Sequence, residues 1–118
     1  MRAKDELGRR GEDLAAELLA GQGMVVLDRN WRCDIGEIDL VARDGRELVV
    51  CEVKTRSSTT YGTPLEAIDW AKVTRLHRLA YRWLDAHRLR AATVRVDVVA
   101  VLAPHRGPPA LEHLRDLA

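Results

Sequence analysis

Glu52 and Lys54, one residue apart in the stretch VVCEVKTR, are the first residues whose spacing suggests chemistry. The stretch reads as a strand, because Val49, Val50, Cys51 and Val53 are apolar or favour β-structure. Side chains alternate faces along a strand, so Glu52, Lys54 and Arg56 share one face and Cys51, Val53 and Thr55 the other. Upstream, Asp39 lies in a second strand-like run, EIDLVAR, and Asp44-Gly45 between the two runs is a strong hairpin signal.

With Asp44-Gly45 as a two-residue turn, Arg43 pairs with Arg46, Asp39 faces Val50 and Glu37 faces Glu52. Asp39, Glu52 and Lys54 then project from one face, with Asp39 and Glu52 diagonal neighbours roughly 7–8 Å apart at the backbone. Two such carboxylates can share one hard cation, at oxygen–metal distances of about 2.0–2.1 Å for magnesium. A three-residue loop would slip the register by one and turn Asp39 to the opposite face. The plainer alternative is an exposed face on which Glu52 and Lys54 form a surface salt bridge.

These strands need covering elements. A long helix is expected from about Leu65 to His87, and Leu65, Ile68, Leu76, Leu79 and Trp83 cluster on one arc of it. Lys72 falls in the middle of that arc. A lysine there needs a carboxylate partner or a ligand, unless it snorkels and buries only its stem. Arg75, Arg78 and Arg82 lie together on a flanking face, within reach of phosphates. A first helix is expected from about Lys4 to Gly21, stopped by Gly21-Gln22-Gly23. Glu12 sits on the shoulder of its apolar stripe, one turn after Gly8, whose missing side chain leaves room. Its alternative role is to complement the helix dipole.

Three further segments complete the chain. MVVLDRNW reads as a first strand, and RCDIG as its connector to EIDLVAR. TVRVDVVAVL is a β-branched strand buried on both faces and parallel to the VVCEVKTR strand, since a helix connects them. After the break APHRGPP, ALEHLRDLA is either a short edge strand or a helical turn. The SSTTYGTP stretch reads as a loop. The expected order is α-β-β-β-α-β: an α/β fold with a mixed central sheet flanked by helices.

Bulk composition agrees. At 118 residues the chain is read as one domain, residues 1–118. With 47% hydrophobic and 31% charged residues it has a globular balance. No apolar run reaches the roughly 20 residues of a membrane span, and MRAKDELGRRGED lacks the apolar core of an export signal. The chain is therefore read as cytoplasmic, with Cys33 and Cys51 reduced. The scattered His77, His87, His105 and His113 argue against zinc. The net charge of +1 argues against a protein that coats nucleic acid non-specifically. Locally, however, Trp70 to Arg90 holds six Lys/Arg against one acid, Asp85, so a solvated helix face and a phosphate-binding one both remain open.

The stretch GEIDLVARDGRELVVCEVKTR, an acid followed by a hairpin and Glu-x-Lys, resembles the PD-(D/E)XK nuclease superfamily. The wider pattern resembles the YraN-like uncharacterised protein family within that superfamily: GRRGEDLAAELL, NWRCDIGEIDL, VCEVKTRSSTTYGTP, EAIDWAKVTRL and RVDVVAV. The resemblance spans about residues 8 to 102. It implies a restriction-endonuclease-like fold, similar to archaeal Holliday-junction resolvases, and a magnesium- or manganese-dependent endonuclease acting in DNA recombination or repair. Asp39 and Glu52 match the metal-binding acids, with the Val53 carbonyl as a third ligand. Lys54 matches the catalytic lysine, Glu12 the auxiliary helix acid, and Lys72 a polar position pointing into such sites. Arg56, Lys72 and Arg75 would engage flanking phosphates. Ile38 precedes Asp39, so the literal Pro-Asp is absent.

The implied partner is nucleic acid, DNA rather than RNA, with branched or structured DNA among the candidates, no membrane, and a homodimer as a possible assembly. Trp31 and Tyr61, read as lying in the connectors, could stack on bases or pack at the rim. The competing readings are a non-catalytic nucleic-acid-binding module and a protein-interaction domain anchored by Trp70, which falls off the helix stripe.

Overall fold

The computed structural model describes residues 3–58 and 68–117. Helix α1 (Ala3–Gly21) leads into strands β1 (Val25–Cys33), β2 (Gly36–Asp44) and β3 (Glu47–Arg56). Helix α2 (Trp70–His87), strand β4 (Thr93–Leu102) and strand β5 (Ala110–Leu114) follow. The strands form one sheet in the order β1-β2-β3-β4-β5. Only the β3–β4 pair is parallel; the others are antiparallel. The expected order therefore holds, and ALEHL resolves to the edge strand β5 rather than a helical turn.

Local chemistry explains the helix ends. Gly23, at φ 89, takes the left-handed position after α1, and the Met24 N–H returns to the Leu19 carbonyl at 3.1 Å. Asp69 caps α2, its Oδ1 accepting from the amides of Ala71 (3.0 Å) and Lys72 (3.3 Å). Helix α2 thus begins at Trp70, not at Leu65, which lies outside the described residues along with Tyr61 and most of SSTTYGTP. Ile68 packs against the core from just before the cap. The RCDIG connector is shorter than expected, because Arg32 and Cys33 belong to β1.

The helices cover opposite faces of the sheet. Against α1, Ala15 and Leu19 pack on Leu40, Ala42, Val49, Cys51, Val99 and Val101. Against α2, Leu76, Leu79 and Trp83 pack on Ile38, Val41, Leu48, Val50 and Val96. Cys51 is fully buried and Cys33 half-buried, and both are free thiols. Burial pushes the Cys51 thiol well above its ordinary range.

The hairpin corrects the expected register. Its turn is Gly45-Arg46, because Asp44 pairs with Glu47 and Arg43 with Leu48. Gly45, at φ 61, occupies the first central position, where positive φ favours glycine. Relative to the Arg43–Arg46 pairing this is a shift of two residues, which preserves the face of every side chain.

Gly11 fixes the approach of α1 to the sheet. A Cβ there would lie 1.8 Å from Thr55 Oγ1 and 2.8 Å from Thr55 Cβ. A larger residue would push the helix off β3. Gly8, by contrast, has open space around it, so the room expected for Glu12 is not its contribution.

Candidate metal and phosphate cleft

Strand alternation places Glu52 on the α2 face of β3. The Leu40–Cys51 pairing, continued by one step, sets Asp39 opposite Glu52 rather than diagonal to it. The ladder has ended there, and the Val53 N–H donates to Asp39 Oδ2 at 2.9 Å. From above, Lys72 Nζ donates to Glu52 Oε1 at 2.9 Å. The lysine in the apolar stripe thus has a carboxylate partner, and the plainer alternative, a surface salt bridge between Glu52 and Lys54, does not form: Glu52 pairs with Lys72 instead. Lys54 has no ion pair among the described residues.

Asp39 Oδ1 and Glu52 Oε2 find no hydrogen-bond partner among the described residues. Both carboxylates border a cavity of about 210 Å³, together with Glu37, Lys72, Arg75, Leu76 and Leu79. The Glu52–Lys72 pair separates this cavity from a much smaller gap of about 10 Å³ on the Lys54 side. Lys54 is therefore a neighbour of the carboxylate cavity and not part of its wall.

Burial pushes the Asp39 carboxyl up to about 7. The Val53 N–H pulls it back, while the negative charges of Glu52, Glu12 and Glu37 raise it further. Among the described residues no group of three or more His, Cys, Asp or Glu is arranged to hold a metal ion.

The other expected residues lie at the margins. Glu12 projects from α1 behind the hairpin and accepts from Asn30 Nδ2 at 3.0 Å; its charge reaches Asp39, but it lines neither cavity. Arg56 ends β3 half-buried, its carbonyl accepting the Ala103 N–H at 2.8 Å. Arg75 lines the cavity, whereas Arg82 pairs with Asp34 at the surface and lies outside the cavity lining. Trp31 lies within β1, where the strand reading of MVVLDRNW puts it and not in a connector, and packs against the α2 core. Trp70 is 58% exposed, as its position off the stripe suggests.

Glu37 is the cavity residue that sequence reasoning gave no role. Its signal was its position two residues before Asp39 on the same strand. Arg32 Nε lies 3.4 Å from it.

A family model described as uncharacterised protein family UPF0102 matches residues 11–101. The chain belongs to that family. The UPF0102 protein of Arthrobacter sp. (strain FB24) is 62% identical over 115 residues, covering 98% of each chain. That of Paenarthrobacter aurescens (strain TC1) is 59% identical, covering 98% of this chain and 95% of its own. That of Streptomyces griseus is 55% identical over the whole of both chains. The UPF0102 match takes in Gly11, Glu12, both cleft carboxylates, Lys54 and Lys72, and ends before β5. Its description names no reaction.

Proposed function

We propose that this UPF0102 protein is a metal-dependent endonuclease that hydrolyses phosphodiester bonds in nucleic acid, DNA in preference to RNA. The observation that carries the reading is the apposition of Asp39 and Glu52 across the hairpin. Each lines a cavity that also presents Lys72 and Arg75, and each keeps one oxygen without a partner among the described residues. The resemblance of Asp39…Glu52-x-Lys54 to the PD-(D/E)XK pattern supports it.

The donor set fits magnesium or manganese. Magnesium is typically held by one or two carboxylates and keeps several waters, so it needs no third acidic ligand. The Val53 carbonyl is a third donor. The Val53 amide already points at Asp39, and an extended residue sends its N–H and C=O to the same strand edge. When bound, such an ion lowers the pKa of a coordinated water and polarises the phosphate.

The chain's own residues do the rest. Lys54, without an ion pair among the described residues, orients the attacking water or stabilises negative charge on the phosphate. Lys72 exchanges its Glu52 contact for a phosphate oxygen, and Arg75 holds the next one. Arg56 engages the strand beyond the cleft. These contacts position the backbone without reading sequence. Glu12 acts from behind the hairpin through its charge. A homodimer would present two cleavage sites to two strands.

The test is purified protein with manganese against single-stranded, duplex, flapped and branched DNA and against RNA. Cleavage lost on Asp39→Ala and on Glu52→Ala is expected. No cleavage of any substrate sinks the enzyme reading, and cleavage that survives both substitutions belongs to a contaminant.

The Lys72–Glu52 contact at 2.9 Å favours a second reading, in which the acid is neutralised internally and the domain binds nucleic acid without cutting. Salt-sensitive oligonucleotide binding with no manganese bound would support it.

A further inference from the structure

At the other end of α2 from the cleft lies a groove of about 550 Å³. Its floor is Leu48, Trp83 and Leu84, all buried, and its walls include Leu27 and Leu89. Leu27 is 40% exposed and Leu89 51% exposed, and with the floor residues they line one continuous apolar groove. Three arginines rim the groove from three separate segments: Arg43 on β2, Arg46 in the hairpin turn and Arg90 after α2. None has an ion pair among the described residues. The one acid on the rim, Glu47, is engaged by Arg95 at 3.3 Å and by Thr93 Oγ1 at 2.8 Å. The backbone is firmly built here, since the Ala92 N–H donates to the Arg46 carbonyl at 3.0 Å.

We propose that this groove docks an acidic, apolar peptide segment of a partner protein. Its size falls within the roughly 300–1,000 Å³ of ordinary ligand sites. The apolar floor calls for aliphatic or aromatic side chains. Cations on three segments call for a ligand carrying several separated negative charges, not one terminal anion. Nucleic acid brings the charges without the aliphatic side chains. Arginine around an apolar centre is also the composition of protein-binding surfaces. The assignment does not depend on the cleft or its chemistry.

The experiment selects random 12-residue peptides, displayed on phage, against the immobilised full-length protein. Enriched peptides are expected to interleave Asp or Glu with large apolar residues. A synthetic copy of the winner, followed by fluorescence anisotropy, is expected to lose about tenfold or more in affinity for Leu89→Asp and for Arg46→Glu. Both positions are exposed, so an unchanged melting temperature verifies folding. No enrichment, basic or uncharged winners, or equal binding to both variants overturns the proposal. So does a concentration-dependent doubling of mass abolished by Leu89→Asp, which makes the groove a self-interface. Oligonucleotide affinity that falls in Arg46→Glu overturns it in favour of nucleic acid.

Discussion

Strands β3 and β4 each carry a charged pair at alternate positions, and the two pairs behave in opposite ways. On β4, Arg95 and Asp97 close on each other, with Nε to Oδ1 at 2.9 Å and the second guanidinium nitrogen to Oδ2 at 3.0 Å. Asp97 is fully buried and also accepts from His113 Nε2 at 2.7 Å and from the Asp116 N–H at 2.9 Å. Two donors thus serve each oxygen. The neighbouring carboxylates of Asp44 and Glu47 complete the surroundings of Arg95. Its pKa is raised above an already high value, chiefly by the Asp97 hydrogen bonds. On β3, Glu52 and Lys54 do not pair. Glu52 turns to Lys72, and it and Asp39 each keep one oxygen without a partner among the described residues. A buried charge with every lone pair matched is a latch. A pair of acids with lone pairs to spare is a site that can accept something else.

The sharpest way to break that contrast is Asp97→Ala. It removes the bidentate partner of the Arg95 guanidinium, whose side chain is only 7% exposed, leaving that cation to Asp44 and Glu47 on one nitrogen, and it takes the acceptor from His113 and from the Asp116 N–H. A loss of roughly 3–5 kcal/mol is expected in chemical denaturation. A loss under about 1 kcal/mol would mean that β5 and its latch are dispensable.

Glu52→Gln should do the reverse. Stability is expected to stay within about 1 kcal/mol, because Lys72 is partly exposed and can turn to solvent. Manganese-dependent cleavage should fall by about 100-fold or more. Comparable loss of stability for both substitutions would erase the distinction between the two clusters.

Acidity offers a third comparison. The fold holds Asp39 up at about 7, from an ordinary 3.8, so it favours the protonated carboxyl. That contribution to stability is complete below the ordinary carboxylate range and is lost as pH rises through about 7. In chelator, the melting temperature should fall between pH 5 and pH 8. Asp39→Asn should flatten the fall, and manganese should offset it in the parent protein but not in the variant. An Asn variant with the parent's pH slope would place the strain elsewhere. The smallest effect is expected for Trp70→Ala: a stability change within about 0.5 kcal/mol, since the indole is 58% exposed. A shift in oligomer mass on that substitution, by light scattering, would instead make Trp70 an interface anchor.

Much of the cleft was legible because alternation along β2 and β3 is a local property. Lys72 was also legible, as a cation centred in an apolar stripe. The position of the turn was not. Two registers that differ by two residues put the same side chains on the same face, so hydrophobic patterning cannot choose between them. The latch was missed for a different reason. Arg95 and Asp97 show the same alternation as Glu52 and Lys54, but a β-branched strand buried on both faces, as β4 is, gives no hint from its pattern alone that the two charges close on each other. The third member, His113, lies beyond the break at APHRGPP, in a segment whose pattern fits a short edge strand and a helical turn equally. Gly11 was hidden too, since its closeness to Thr55 exists only once α1 has docked.

The Gly45-Arg46 turn has a consequence for how the sequence can drift. Adding or removing one residue at this tip would invert one strand of the hairpin, turning Asp39 away from Glu52 and driving Leu40 and Ala42 off the α1 layer. Adding two would lengthen the hairpin and leave every partner on its proper side. Length variation at this tip among descendants of such a chain should therefore come in even steps.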